Sequence, residues 1–415
     1  MNKKIISLIL FAFVLQSACE DEPTLPKELS YGSIGGIVKD QITDEPLVGV
    51  RVEALLNQVV DTTNSLGEYF LDSLIVGEEN ISISVQFFEN QILELTITPE
   101  LQTVNVSMGP LLENQYLYLA EALGHYIYIV DVDTQEKIDS LHFSEGEIAG
   151  LFITPGGTKL YIYVAIVKKT FYLDTETRTF HSTNIPFGLL RLSPYDDQIF
   201  LFSDEGIFIV DTLSDAAVQI DTITSVSRVV FSPTAPVFYF QKQVSLFTYD
   251  YQQAMIIDST NFWSFAMDIT PDGRGIYFLG KYVGFWDIQN DSIIEIYSAG
   301  DTSISLITSS SRLAITPDGR YALITEGHYI FDAVFIHKGL ITVISTNSHE
   351  FYGYIDLKPF FVASIDIIFS RSGRYAYVNG YLTSRITLVD LYKMKSIKSF
   401  KFHRQVVPMA IGPRN

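Results

Sequence analysis

The sequence predicts an all-β protein: a small β-sandwich followed by a seven-bladed β-propeller whose N- and C-terminal strands join in one blade. Composition is the first reason. Aromatic residues make up 13% of the chain and hydrophobic residues 47%, with many Tyr, Phe, Ile and Val, a mixture that favours strands over helices. At 415 residues the chain exceeds one ordinary domain and can bury large cores. The second reason is a recurring phrase: apolar residues, Thr or Ser, Pro, a turn, then an aromatic-rich strand. It begins at Ile153, Leu192, Phe231, Ile269 and Ile315, returns without its proline at Phe369, and starts once more at Ile411. Its prolines fall at 155, 194, 233, 271, 317 and 413, with Arg371 in the sixth place, so the steps are 39, 39, 38, 46, 54 and 42. A period near forty with several short strands per unit is the spacing of propeller blades. The third reason lies at the ends. Tyr116–Leu119 and Tyr126–Asp131 read as second and third strands lacking a first, and Pro408–Pro413 reads as a first strand lacking a blade. Joined, they complete a seventh blade and leave no free radial edge.

The N-terminal segment has a different character. Lys3 and Lys4 precede an apolar run from Ile5 to Leu15, and Ser17-Ala18 stand directly before Cys19, the only cysteine. Disulfides within the chain are therefore excluded, and the apolar run is short for a spanning helix. Residues 1–18 resemble a bacterial lipoprotein signal peptide, with Gln16 where that family usually has Leu. The resemblance implies acylation of Cys19 and anchoring to a membrane without a transmembrane helix. Residues 19–31, acidic and with Pro23 and Pro26, read as a flexible tether. They resemble the tethers of surface lipoproteins in Bacteroidetes-type bacteria, which implies an outer-membrane protein facing the cell surface, with the periplasmic face as the other orientation.

Residues 32–109 form the predicted sandwich. Gly36–Asp40 is a strand, Thr43–Leu47 a turn, and Val48–Val52 an alternating, half-buried strand. Thr62–Leu71 reads as a hairpin turning at Gly67, and Ile81–Val85 as another strand. The runs Gly-x-Val-x-Asp, Pro-Leu-x-Gly-Val-x-Val and Thr-x-x-x-Gly-x-Tyr resemble the carboxypeptidase regulatory-like domain, a transthyretin-like sandwich. That implies a structural or adhesive module without catalysis; the segment has no His. Met108-Gly109-Pro110 marks its end.

Residues 111–415 are the predicted propeller. Strands ending in Val-Asp or Trp-Asp, such as Ile207–Asp211, Gly284–Asp287 and Ile386–Asp390, follow the phrase. The pattern resembles the YVTN-type propeller repeat, well at Thr316–Leu323 and Ser370–Val378 and loosely elsewhere. Asp131-Val132-Asp133 reads as a turn between outer strands, because the Gly and closing Glu of a calcium loop are missing.

A net charge of −20 argues against nucleic acid as a partner, since a phosphate-binding face needs clustered Lys and Arg. There is no nucleophile elbow, Walker loop or dinucleotide fingerprint. His125, His142, His181, His349 and His403 are scattered over different blades. No catalytic set, metal site or cofactor is predicted.

Aligned on the phrase, the innermost strands show two apolar columns, Ile153 to Ile411 and Leu151 to Met409, expected to pack between blades. Charges intrude in the columns between them: Arg191, Arg228, Asp268, Arg312 and Asp366. A charge on a central strand must be paired or wet. The candidate site is thus a polar channel mouth suited to a carboxylate or other anion; the alternative is Arg–Asp pairing between blades. The long steps place insertions at Ser298–Ser311 and Glu326–Lys338. The second carries His328, Tyr329, Asp332 and His337 and is the other candidate contact surface, although its spacing matches no metal site. The expected function is binding or scaffolding by a lipid-anchored envelope protein, whose partner is a protein, glycan or small anionic ligand. The alternative is a propeller enzyme resembling lactonases, lyases or quinoproteins.

Overall fold

A computed structural model describes residues 29–121, 124–298, 312–325, 339–357, 364–380, 384–404 and 406–414. Every named element among them is a β-strand. The chain divides into two compact units after Pro110.

The first unit holds two four-stranded sheets. In one, Tyr31–Asp40 lies antiparallel to Glu68–Ile75 and parallel to Leu101–Thr103 and Val106–Met108. The other runs Val59–Thr62, Arg51–Ala54, Gly77–Ser84, Gln91–Ile97. Alternate residues Val52, Ala54, Ile81 and Ile83 of one sheet, and Ile34 and Leu71 of the other, are fully buried, the strand periodicity of two. Two expectations need correction. The strand predicted at Val48 starts at Arg51, because Gly49 takes a left-handed turn conformation at φ 76°. Thr62–Leu71 is no hairpin either, since Val59–Thr62 and Glu68–Ile75 belong to different sheets. The buried Thr63 hydroxyl holds this corner, donating to Leu47 O at 2.6 Å and accepting from Val50 N at 2.9 Å.

The second unit is a β-propeller. Its described strands form seven four-stranded antiparallel sheets, and within six of them strand order follows the chain. We number the sheets from the composite one. Sheet one takes its first strand, Val406–Pro413, from the C-terminal end; it pairs with Gln115–Glu121, followed by Tyr126–Asp131 and Glu136–His142. The first strands of sheets two to seven are Ile148–Ile153, Leu189–Leu192, Ser227–Phe231, Ala266–Ile269, Leu313–Ile315 and Ser364–Phe369. First strands lie against first strands of neighbouring sheets, which makes them the inner layer.

Each junction between sheets has its own buried cluster, from Tyr118, Ile129 and Leu160 between sheets one and two round to Tyr377, Leu388 and Leu117 between seven and one. Both apolar columns read from the sequence fall in these clusters, for example Leu190, Met267 and Ile367. Polar ties complete every junction. Arg178 pairs with Asp139 between sheets two and one, Lys159 with Asp215 at 2.9 Å between two and three, and Ser193 with Tyr251 between three and four. Arg228 donates to Phe265 O between four and five. Tyr277 meets His349 between five and six, Ser396 donates to Asp356 O between seven and six, and Glu113 accepts from Ser370 between one and seven.

The repeated phrase is a turn closed by its own backbone. Thr154 N donates to Lys159 O, and the same five-residue bond recurs from Ser193, Ser232, Thr270, Thr316 and Ser370. The strand-ending Asp residues also share one role. Asp131, Asp174, Asp211, Asp250, Asp287 and Asp390 each accept backbone N–H groups two or three residues on, the turn that Asp supports best. Asp131 is thus the turn residue expected of it, and Arg414 pairs with both Asp131 and Asp133.

Candidate functional site

A half-open cavity of about 470 Å³ lies among the inner strands, at the end of the ring where first strands begin and second strands finish. Four first strands contribute Leu151, Arg191, Asp366 and Met409; second-strand ends contribute Tyr163, Phe202 and Ser203, with Asp204 in the turn that follows; connections between sheets contribute Phe187, Gly188, Ser225 and Val226. Its shape follows from local sequence. Gly150 lies where a Cβ would come within 2.3 Å of the Tyr163 ring, so only glycine lets that ring pack into the wall. The Tyr163 hydroxyl accepts a bond from Leu190 N at 3.2 Å, fixing the strand that carries Arg191.

Arg191 is the exceptional side chain. The cavity gives it accessible surface, yet protein surrounds it so closely that burial holds its guanidinium below the usual arginine range, against the opposing influence of Tyr163 and Asp366. Among the described residues it donates one hydrogen bond, Nη1 to Leu190 O at 3.0 Å, and joins no ion pair. Its remaining N–H groups are available to a ligand.

Asp366 lies half-buried on the first strand of sheet seven. Its Oδ1 accepts the adjacent Ile367 N at 3.0 Å. Burial raises its carboxyl to about 6, outweighing the nearby charges of Arg191 and Arg312. Because this value lies above the ordinary 3.8, folding favours the protonated form. Its contribution to stability is complete below about pH 4 and is lost as pH rises through about 6. The melting temperature of Asp366→Asn, measured at about pH 5 and about pH 7, should therefore fall less over that interval than that of the unchanged chain. Equal falls would contradict the assignment.

Of the other charges predicted for the mouth, Asp268 and Arg228 stand on first strands and Arg312 directly precedes one, but none of them lines this cavity. Asp268 ties neighbouring sheets together: its Oδ2 accepts Ile315 N at 2.7 Å and its Oδ1 accepts Ile269 N at 2.9 Å. Burial raises it too to about 6 despite these bonds. Arg228 occupies a register shift between Ser227 and Val229 with φ 49°, a bulge that re-aims its side chain. Its Nε donates to Phe265 O at 2.6 Å; burial, then the neighbouring Arg312, lower its proton affinity. Arg312 is half-buried, and its backbone N donates to Thr325 Oγ1 at 2.8 Å. Arg–Asp pairing between sheets, the alternative reading, is not formed by Arg191, Arg228, Asp268 or Asp366 among the described residues. His328, Tyr329, Asp332 and His337 lie outside the described residues, as does Cys19.

Sequence reasoning missed Tyr163, Phe187, Gly188 and Ser225, because they belong to units of ordinary length. The available signal was Gly150, a residue without a side chain in a column otherwise holding larger ones.

Fold and cavity define a β-propeller with a charged cavity among its inner strands. No family model matches the chain, and no curated protein matches it. Among solved structures, it is similar to a functionally unknown protein from Desulfotomaculum acetoxidans, at 10% identity and TM-score 0.54, over 72% of this chain and 99% of that one. It is also matched to the dihydro-haem d1 dehydrogenase NirN in complex with DHE, at 14% identity and TM-score 0.46, over 70% of this chain and 64% of that one. A third match is Kuenenia stuttgartiensis hydrazine synthase, at 15% identity and TM-score 0.46, over 58% and 76%. The chain thus spans less than two thirds of the NirN chain. At such identities the likeness speaks of fold, not of activity.

Proposed function

We propose that this chain is a lipid-anchored outer-membrane protein on the cell surface whose propeller binds a small anionic ligand in its inner cavity. In this reading Cys19 carries the lipid, residues 19–31 are the tether, and the first unit is a transthyretin-like, carboxypeptidase regulatory-like spacer. The second is a seven-bladed, YVTN-type propeller. The charged N-terminus, apolar run and Ser17-Ala18-Cys19 order support the anchor. Two four-stranded sheets support the spacer, and seven with a composite first sheet support the blade count.

One observation carries the ligand: the Arg191 guanidinium lines the cavity, is accessible there, and keeps most of its donors unused. Charge-assisted hydrogen bonds to an anion satisfy that requirement best. Calorimetry on the full chain in detergent, with small carboxylates and inorganic phosphate, is the test. Arg191→Ala should weaken the anion that binds by about 10- to 100-fold. Equal affinity in both proteins would refute the assignment.

An enzyme at the same mouth, of the lactonase, lyase or quinoprotein kind, is the second reading. It is favoured by the raised carboxyl of Asp366, a property of acid–base groups. Binding alone returns the ligand unchanged, whereas an enzyme consumes it, and recovery of ligand after incubation separates the two.

A further inference from the structure

Arg191 and Asp366 reach one cavity from the first strands of sheets three and seven, with sheets one and two between them. They therefore approach the cavity from well-separated parts of the ring. On the shorter way round, the wall between them is apolar, made by Met409 and Leu151. Their charges act on one another across the cavity, yet no ion pair joins them among the described residues. Asp366 Oδ1 is used by Ile367 N; Oδ2 accepts nothing among the described residues.

The third charged residue of the wall, Asp204, is exposed and pairs with Lys168, and a cavity whose other two charges are opposite and unjoined discriminates by charge. A simple anion satisfies Arg191 but is repelled by an ionised Asp366, and a simple cation does the reverse. A ligand carrying both signs satisfies each. Resting on the anion-binding reading above, we infer that the cavity takes a small amphoteric ligand: a carboxylate and an ammonium on an apolar body, the chemistry of an α-amino acid. The carboxylate accepts from the free donors of Arg191, the ammonium donates to Asp366 Oδ2, and the body packs on Met409, Leu151 and Phe187. Asp366 is then the residue that sets specificity.

The test uses three probes with one common body: phenylalanine, 3-phenylpropionate, which lacks the ammonium, and 2-phenylethylamine, which lacks the carboxylate. Calorimetry on the full chain near neutral pH should give phenylalanine at least about tenfold tighter binding than either analogue. Asp366→Asn should erase its advantage over 3-phenylpropionate without weakening the latter. Arg191→Ala should weaken both acids. Melting curves of each variant establish that it is folded. If 3-phenylpropionate binds as tightly as phenylalanine and Asp366→Asn changes neither, the amphoteric ligand is refuted while anion binding stands. If none of the three binds, or Arg191→Ala leaves the acids unaffected, both readings fall.

Discussion

Removing residues 405–415 is expected to abolish the cooperative unfolding transition of the second unit. Val406–Pro413 is the first strand of sheet one, registered from Val406 opposite Glu121 to Pro413 opposite Gln115. Without it, Gln115–Glu121 becomes an open strand edge in the inner layer, the hazard that closure removes. Two cores lose material at once. Val406 and Met409 sit in the cluster between sheets seven and one, and Ala410 in that between one and two. Fully burying a Val or Met side chain is worth about 1.5–3 kcal/mol each. The truncation also strands Asn379, whose amide donates to Val406 O at 3.2 Å, and removes the Arg414 pairs to Asp131 and Asp133. Together these losses approach the whole stability of a typical domain, about 5–15 kcal/mol. Urea unfolding followed by tryptophan fluorescence reads this directly, because Trp263 and Trp286 both belong to the second unit. A truncated chain with the midpoint and slope of the full one would show that the strand is dispensable.

The closure was legible because it depends on counting strands, and strands announce themselves through period-two burial and turn residues. The phrase was legible for the same reason. Thr270-Pro271-Asp272-Gly273 names a turn, and Thr270 N closing on Gly275 O is that turn. Other features depend on what the chain meets from elsewhere. Whether Thr62–Leu71 forms a hairpin is decided by the partner of each strand, and Thr63 turns a corner between sheets instead. The candidate site was half legible. Sequence alignment places Arg191, Asp268 and Asp366 on inner strands, because they stand in the columns between the two apolar ones. It does not say which of them meet. Asp268 turns to the backbone of the next sheet, whereas Arg191 and Asp366 share a cavity opened by an absent side chain at Gly150 and the ring of Tyr163. Radial depth and the bulge at Arg228 leave no mark in a column of residue types.

The second large effect is expected at Asp390, where the repeated Val-Asp ending carries more than turn chemistry. The residue is 2% exposed. Its Oδ1 accepts Tyr392 N at 3.0 Å and Lys393 N at 3.2 Å, and its Oδ2 meets Arg374 Nη2 at 3.5 Å between side chains only 3% and 5% exposed. Removing one partner of a buried pair costs about 3–5 kcal/mol, to which the lost turn bonds add about 1 kcal/mol. Asp390→Ala should therefore cost about 4–6 kcal/mol by these two contributions, enough to unfold a marginal domain. Asp390→Asn keeps an acceptor for the turn and loses only the charge, so it should lie between the two proteins. Arg374→Met should in turn relieve Asp390→Asn, because the guanidinium that faced the carboxylate is then removed together with it. Chemical denaturation of the four proteins forms a double-mutant cycle. Strictly additive losses would mean that the 3.5 Å contact carries no coupling and that turn geometry alone accounts for the Asp. A clearly smaller loss in the double variant than the sum of the single ones would assign the buried pair to the stability of sheet seven.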